Sequence, residues 1–346
     1  MYEYFVGDQL ARLTIVLGIV VSTIIYKQTG RTLGGVIVCG YLALFIGQPL
    51  HILVTLAMSY FTYQIAHNFL KKRYMLNGRK LFEVEILVGL LFQVSWLTLM
   101  KLLAREGADF TALYGIGFVL PGVIAHDMGR QGPANTVGSI FLGVFLVALI
   151  IIPLAAIEQV LPAGFLQAKW LIYRAQPYVY TYPIRLLPFG IIASVVIDLL
   201  LYSRLKLRAG GFVTAAYVAL FAFRPYDLIF VVVCSALTFF FVKFATGRIV
   251  LAFGRTKLGM MILAGVVISW ALEILVTILS QGRFVPWSGF VIIMPTIVAL
   301  IANDFDRQGA TRTAAGVSLT AFGVFAVMQI FVFALNTLGL NWIFTL

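Results

Sequence analysis

Two clusters of polar residues in this chain have the types and spacing to do chemistry, and they match each other. The first is His126, Asp127, Arg130, Gln131 and Gly132, with Asn77-Gly78-Arg79-Lys80 upstream. The second is Asn303, Asp304, Asp306, Arg307, Gln308 and Gly309, with Gly254-Arg255 upstream. Arginine presents a planar fork suited to carboxylate or phosphate. A glycine at a helix start can take φ > 0 and leave backbone N–H groups open to an anion. The chemistry on offer is recognition of an anion. A plainer arrangement uses the same residues: a pair of turns in which Asp127 or Asp304 neutralises the arginine.

Other chemistry is missing. The sequence has no P-loop and no G-x-S-x-G elbow. His51, His67 and His126 stand too far apart to read as a metal site. Cys39 and Cys234 both lie in apolar runs and suggest neither a disulfide framework nor a zinc ligand set. No cofactor or metal is expected in this chain. Asp198 and Glu273 fall inside apolar runs, where an ionisable group is costly and marks a functional candidate. Their counterparts in the other half are Ser22 and Leu97, so neither belongs to the duplicated set. Asp198 can pair with Arg204, and a proton-coupled role for Glu273 stays open.

The elements that must position these clusters are membrane spans. Of 346 residues, 62% are hydrophobic and 11% charged. Mean hydropathy is +1.02. Soluble domains are nearer about 45–50% apolar and about 25% charged. That excludes a soluble enzyme, a disordered chain and a disulfide scaffold. Apolar runs recur that are long enough to span a hydrocarbon core of about 30 Å as helices. Glu3 and Asp8 precede the first base, Arg12, so no signal peptide is expected and the first helix is retained.

Spans are predicted over 11–26, 34–48, 50–70, 81–104, 112–128 and 134–157, then over 185–203, 210–223, 227–246, 258–280, 286–302 and 313–336. The series repeats. Gly34-Gly35 and Tyr41-Leu42-Ala43-Leu44-Phe45 recur 176 residues later as Gly210-Gly211 and Tyr217-Val218-Ala219-Leu220-Phe221. Pro49 meets Pro225, Gly78-Arg79 meets Gly254-Arg255, and Gly89 meets Gly265. Arg130-Gln131-Gly132 meets Arg307-Gln308-Gly309 at a shift of 177. The reading is an all-α polytopic membrane protein of about 12 transmembrane segments in two parallel six-segment repeats. The repeats occupy 1–157 and 184–346, joined by an extracytoplasmic linker over 158–183.

Basic residues orient the chain. If every span crosses and the N-terminus lies outside, 17 lysines and arginines fall in inner loops and 8 outside. If the fifth span of each half is re-entrant, the division is 14 to 11. The first count suits the positive-inside rule better, and it also accounts for the net charge of +12 without nucleic acid. The alternative reading of that charge is contact with anionic lipid or an anionic polymer. Both termini are then extracytoplasmic and both polar clusters cytoplasmic. Two spans per half are short or Gly/Pro-interrupted. They are 34–48 and 112–128, with counterparts 210–223 and 286–302. Such paired interruptions point either to a site or to close helix packing through small residues.

Each half resembles the PgsC/CapC membrane proteins of bacterial poly-γ-glutamate synthesis. The resemblance rests on Thr29-Gly30, Gly40-Tyr41-Leu42-Ala43-Leu44, Gln48-Pro49, Gly78-Arg79-Lys80, Pro121-Gly122-Val123-Ile124-Ala125 and Arg130-Gln131-Gly132. They run in family order through nearly all of 10–157. The second half matches through Tyr217, Ala219-Leu220, Pro225, Gly254-Arg255, Ile301-Ala302-Asn303 and Arg307-Gln308-Gly309. Family members are about one half long, so the chain resembles two fused copies, a covalent homodimer. Departures are His126 where the family pattern has Asn, Pro295 displaced from the Pro121 position, and Phe253 at the Asn77 position.

The resemblance implies a subunit of a poly-γ-glutamate synthase in the bacterial cytoplasmic membrane. It implies a cytoplasmic ATP-dependent amide ligase as partner, with ATP and a divalent metal held there. Other membrane or extracytoplasmic subunits of the pathway, the anionic glutamate polymer and membrane lipid are further partners. Arg79, Arg130, Arg255 and Arg307 are expected to form an inner-face mouth that docks the ligase or receives the polyanion. His126, Asp127, Gln131, Gly132, Asn303, Asp304, Gln308 and Gly309 complete the expected site. The competing readings are a secondary transporter of a small anion and a non-catalytic anchor for the ligase.

Overall fold

The computed structural model describes residues 8–103, 117–160, 180–248, 254–287, 290 and 293–338. The predicted linker falls mostly outside them, as do Phe253 and parts of the 112–128 and 286–302 spans. The chain divides into two compact units, Met1–Leu166 and Gln167–Leu346. Among the described residues of the first unit the main helices are α1 (Asp8–Thr29), α2 (Val38–Ala43), α3 (Pro49–Tyr63, continued by a π segment and a short turn to Tyr74), α4 (Gly78–Leu103), α5 (Leu120–Gln131) and α6 (Pro133–Val160). The second unit has α7 (Leu187–Leu205), α8 (Thr214–Leu220), α9 (Pro225–Arg248), α10 (Gly254–Leu279), α11 (Ile293–Gln308) and α12 (Ala310–Thr337). The order of long and short elements is the same in both. No strand occurs among the described residues.

Local chemistry sets these boundaries. Pro49, Pro121 and Pro188 lie in the first turns of α3, α5 and α7, where a missing N–H costs nothing. Gly132 and Gly309 separate α5 from α6 and α11 from α12. Their φ/ψ of 88°/151° and 84°/160° would strain any residue with a Cβ.

Within the first unit, side-chain contacts trace the path. Ser22 Oγ lies 3.5 Å from the Gly35 carbonyl, and Cys39 Sγ lies 3.1 Å from that of Gly18. Rising numbers on one segment meet falling numbers on the other, so residues 35–40 run antiparallel to α1. The two backbones touch: a Cβ on Gly18 would sit 2.3 Å from Gly40 Cα. That is packing through small residues, the usual way helices approach closely in a membrane. Likewise Glu85 meets His126 while Gly89 meets Gly122, so α4 and α5 are antiparallel. Residues 30–48 therefore return along α1 as a broken element, part extended and part helix.

Among the described residues, fewer helices are long enough to span than the twelve segments read from the sequence. Seven helices among the described residues are long and apolar enough to cross a membrane: α1, α4, α6, α7, α9, α10 and α12. The helical run from Pro49 to Tyr74 holds the position of α9 in the first unit, with a π segment over Gln64–Leu70. The second and fifth predicted spans of each half are short. At 1.5 Å per residue, α2 and α8 rise only about 10 Å, and α5 about 18 Å. Gly34-Gly35 and Gly210-Gly211 take positive φ and stop the helix there. Non-helical backbone survives at membrane depth only where protein buries it and satisfies its polar groups. Leu33 is fully buried, and Gly34 and Gly35 are buried with it. Long apolar side chains cover the outside instead, including Phe141, Phe145 and Leu149 on α6 and Phe322, Ile330 and Phe333 on α12. This is an all-α membrane protein.

Candidate functional site

The non-helical turns need hydrogen-bond partners, and glutamine supplies them. In the first unit Gln131 Oε1 accepts the Thr32 N–H at 2.9 Å, and Gln131 Nε2 donates to the Thr32 carbonyl at 2.6 Å. The same Nε2 donates to Thr136 Oγ1 at 3.1 Å, which in turn donates to the Gly132 carbonyl at 2.8 Å. The second unit repeats the arrangement. Gln308 Oε1 accepts the Arg208 N–H at 3.1 Å, and Nε2 donates to the Arg208 carbonyl at 2.8 Å and to Thr313 Oγ1 at 3.1 Å. Thr313 Oγ1 donates to the Gly309 carbonyl at 2.9 Å. Each glutamine thus reads both backbone groups of one residue in a buried turn. Both belong to the cluster singled out from the sequence, but their amides are occupied with holding the fold.

Asp304 has a similar task. Its Oδ2 accepts the Gly210 N–H at 3.1 Å, and its Oδ1 lies 3.7 Å from Arg208 Nη1. Its charge is answered by Arg208 and the turn. Asp127, at the same place in α5, is fully buried. Asn303 is half-buried. Arg130 and Arg307 stay exposed, and neither has an ion-pair partner among the described residues. They lie in the last turns of α5 and α11, beside the glutamine clamps. Arg79 differs, because its guanidinium is bonded to Glu83 one turn on. Arg255 sits at the start of α10, and its side chain falls outside the described residues.

Each unit therefore gathers one polar face. In the first it comprises the turn at Thr32, the end of the Pro49–Tyr74 run, the start of α4 and the end of α5. In the second it comprises the turn at Arg208, the ends of α9 and α11 and the start of α10. An exposed arginine on such a face can take a carboxylate by bidentate hydrogen bonds. Among the described residues no group of three or more His, Cys, Asp and Glu could hold a metal ion.

This duplicated clamp falls within two matches to one family model. The model of capsule biosynthesis CapC matches residues 17–137 and again 193–314. The chain belongs to the CapC family. It is 35% identical over 130 residues to the PGA biosynthesis protein CapC of Bacillus subtilis (strain 168), covering 38% of this chain and 85% of that protein. It is 33% identical over 130 residues to the capsule biosynthesis protein CapC of Bacillus anthracis, with the same coverage. No solved structure matches the chain. The chain carries two CapC repeats in tandem.

The CapC repeats differ at the polar face. In the first repeat His126 Nδ1 lies 2.6 Å from Glu85 Oε2, and the His126 ring meets Phe82 edge-on at 4.8 Å. His67 lies close by on the π segment, stacked on Tyr63, with Lys71 Nζ 3.4 Å from its Nε2. Only a glycine at 129 leaves room for that ring, since a Cβ there would sit 2.8 Å from His67 Nδ1. The second repeat has Met261 and Asn303 at the positions of Glu85 and His126, and Lys243 at that of His67. There Met261 packs with Val242, Ala264 and Ala302 in an apolar cluster. Lys257 and Asp306 form an ion pair at 2.6 Å beside it.

Glu83 and Glu85 escape a reading by composition because they sit only a turn or so inside α4, close to Lys80. The available signal was their place inside the 81–104 span, with Arg79 one turn before Glu83. Thr136 and Thr313 escape it because a hydroxyl in an apolar helix usually bonds its own backbone. A further unforeseen feature lies at the opposite end of the second repeat. Asp227 accepts the Trp287 N–H at 2.8 Å and the Arg224 Nε–H at 2.7 Å, while Trp287 Nε1 donates to the Asp227 carbonyl.

Proposed function

We propose that this chain is a membrane subunit of a bacterial poly-γ-glutamate synthesis complex, with two CapC units on one polypeptide. The observation that carries the reading is the double match to the CapC family model. The polar face supports it. Each repeat leaves an arginine, Arg130 or Arg307, exposed beside the glutamine-held turn and without an ion-pair partner among the described residues. A polymer of glutamate carries one carboxylate per residue, and an arginine fork is the side chain suited to it.

The chain lies in the cytoplasmic membrane with its polar faces inward and both termini outward, the arrangement that puts most of its basic residues inside. The bond-forming chemistry belongs to a cytoplasmic ATP-dependent amide ligase, since this sequence has no phosphate-binding loop. ATP and a divalent metal are held by that ligase. The work of this chain is to seat the ligase and receive the growing polyanion at Arg130 and Arg307.

Copurification from native membranes, followed by an assay of ATP-dependent glutamate polymerisation, tests this. The reading expects a ligase to come down with the chain and activity to require both. A chain that purifies alone and catalyses saturable uptake of a small anion into liposomes is a transporter, and the reading fails.

A further inference from the structure

We propose that Glu85 and His126 form a proton-binding site in the first repeat that the second repeat lacks. Glu85 lies inside the Gly78–Met100 span and is 0% exposed. An ionised carboxylate so placed is costly unless every lone pair finds a partner. Glu85 meets this only in part. Its Oε2 pairs with His126 Nδ1, while the buried Oε1 has no hydrogen-bond partner among the described residues. The imidazole is 24% exposed and so links the buried acid to water at the polar face.

The balance is simple. A neutral imidazole with its proton on Nδ1, bonded to a carboxylate, carries one negative charge. One hydronium ion at the polar face gives up a proton that passes the ring to Oε1; its O–H bond breaks to leave water, the carboxyl O–H bond forms, and the pair becomes neutral. The unpartnered oxygen then becomes a hydroxyl, and the carbonyl oxygen keeps its bond to His126.

Charged and titratable groups face this pair from the elements packed against it. On α4 the neighbouring charges are Arg79 and Glu83, bonded to each other, and exposed Lys80. The π segment and the turn after it bring His67, Lys71 and Lys72, and the charges of Glu85, His126, Lys71 and Lys72 all act on His67. On α5 stand Asp127, buried, and Arg130, exposed. The facing part of α6, residues 133–157, has no titratable side chain.

The second repeat is the internal control. It builds the same packing with Met261 and Asn303 in place of the pair. A first repeat carrying Glu85→Met and His126→Asn together should therefore fold. If the synthase reading holds, protonation makes the polar face of the first repeat one charge more positive while that of the second stays fixed. Proton binding itself does not depend on that reading.

Infrared difference spectroscopy of the full chain in lipid nanodiscs, titrated from about pH 9 to about pH 4, reads the site directly. We expect a protonated-carboxyl carbonyl band that shifts in D2O and is lost in Glu85→Gln and in the Met/Asn double variant. In His126→Asn the band should remain and change frequency, because the carboxyl loses its ring partner. Bands from other acids stay in all three variants. A set of carbonyl bands unchanged by loss of Glu85, or a Glu85 band that does not respond to pH, overturns the proposal. The polymerisation assay can fail without changing either result.

Discussion

The first and second CapC repeats solve one problem identically and another in opposite ways. The shared problem is a buried, non-helical turn. Gln131 and Gln308 meet it with the same three hydrogen bonds, and Thr136 and Thr313 support them. The divergent problem is what fills the space between the third, fourth and fifth helices at the polar face. The first repeat places Glu85 and His126 there, flanked by Arg79–Glu83. The second uses Met261 and Ala302, and moves its charge outward to Lys257 and Asp306. After duplication, then, the backbone scaffold and the exposed arginine stay in both copies, while the buried chemistry stays in one.

The largest expected effect separates the first helices of the two repeats. Gly18→Ala puts a Cβ 2.3 Å from Gly40 Cα and should destabilise by about 3 kcal/mol. The counterpart Ser194 is fully buried with an unpartnered hydroxyl, so Ser194→Ala should be neutral or stabilising. Denaturation in mixed micelles compares them. Equal losses would mean that the two repeats pack their first helices alike.

Next are the clamps. Gln131→Ala and Gln308→Ala each orphan a backbone N–H and a carbonyl, at about 2 kcal/mol apiece. The two losses should agree, because the geometry does. A loss confined to one repeat would break the shared half of the comparison.

The ion pairs give smaller effects. Arg79→Gln leaves Glu83 buried without its main charge partner and should cost about 1 kcal/mol. Lys257→Gln removes a half-exposed pair and should cost about 0.3 kcal/mol. Reversal of that order would place the second repeat's charge in a more buried setting than the first's.

Much of this was legible beforehand, and the failures have physical causes. Hydropathy finds α1, α4, α6, α7, α9, α10 and α12 because each is a long apolar run of the length a bilayer demands. It reads the segments around α2 and α8 as helical spans, since it cannot tell a helix from a buried extended segment of the same composition. Arg130-Gln131-Gly132 and its copy stand out as motifs, but side chains in one motif divide their labour. The glutamine and glycine build the turn, and the arginine remains outside. Asp304 looks like the counterion of Arg307, its near neighbour in sequence, yet it reaches Gly210 and Arg208. Contacts of that range are invisible without the fold.

The central claim is that one exposed arginine in each repeat serves the polyanion, while both clamps serve the fold. Polymer output from cells carrying Arg130→Gln, Arg307→Gln or both, at matched levels of folded chain, tests it most directly. The account predicts that each single variant lowers output and the double variant lowers it most, with thermal stability unchanged. Unchanged output in the double variant would contradict it.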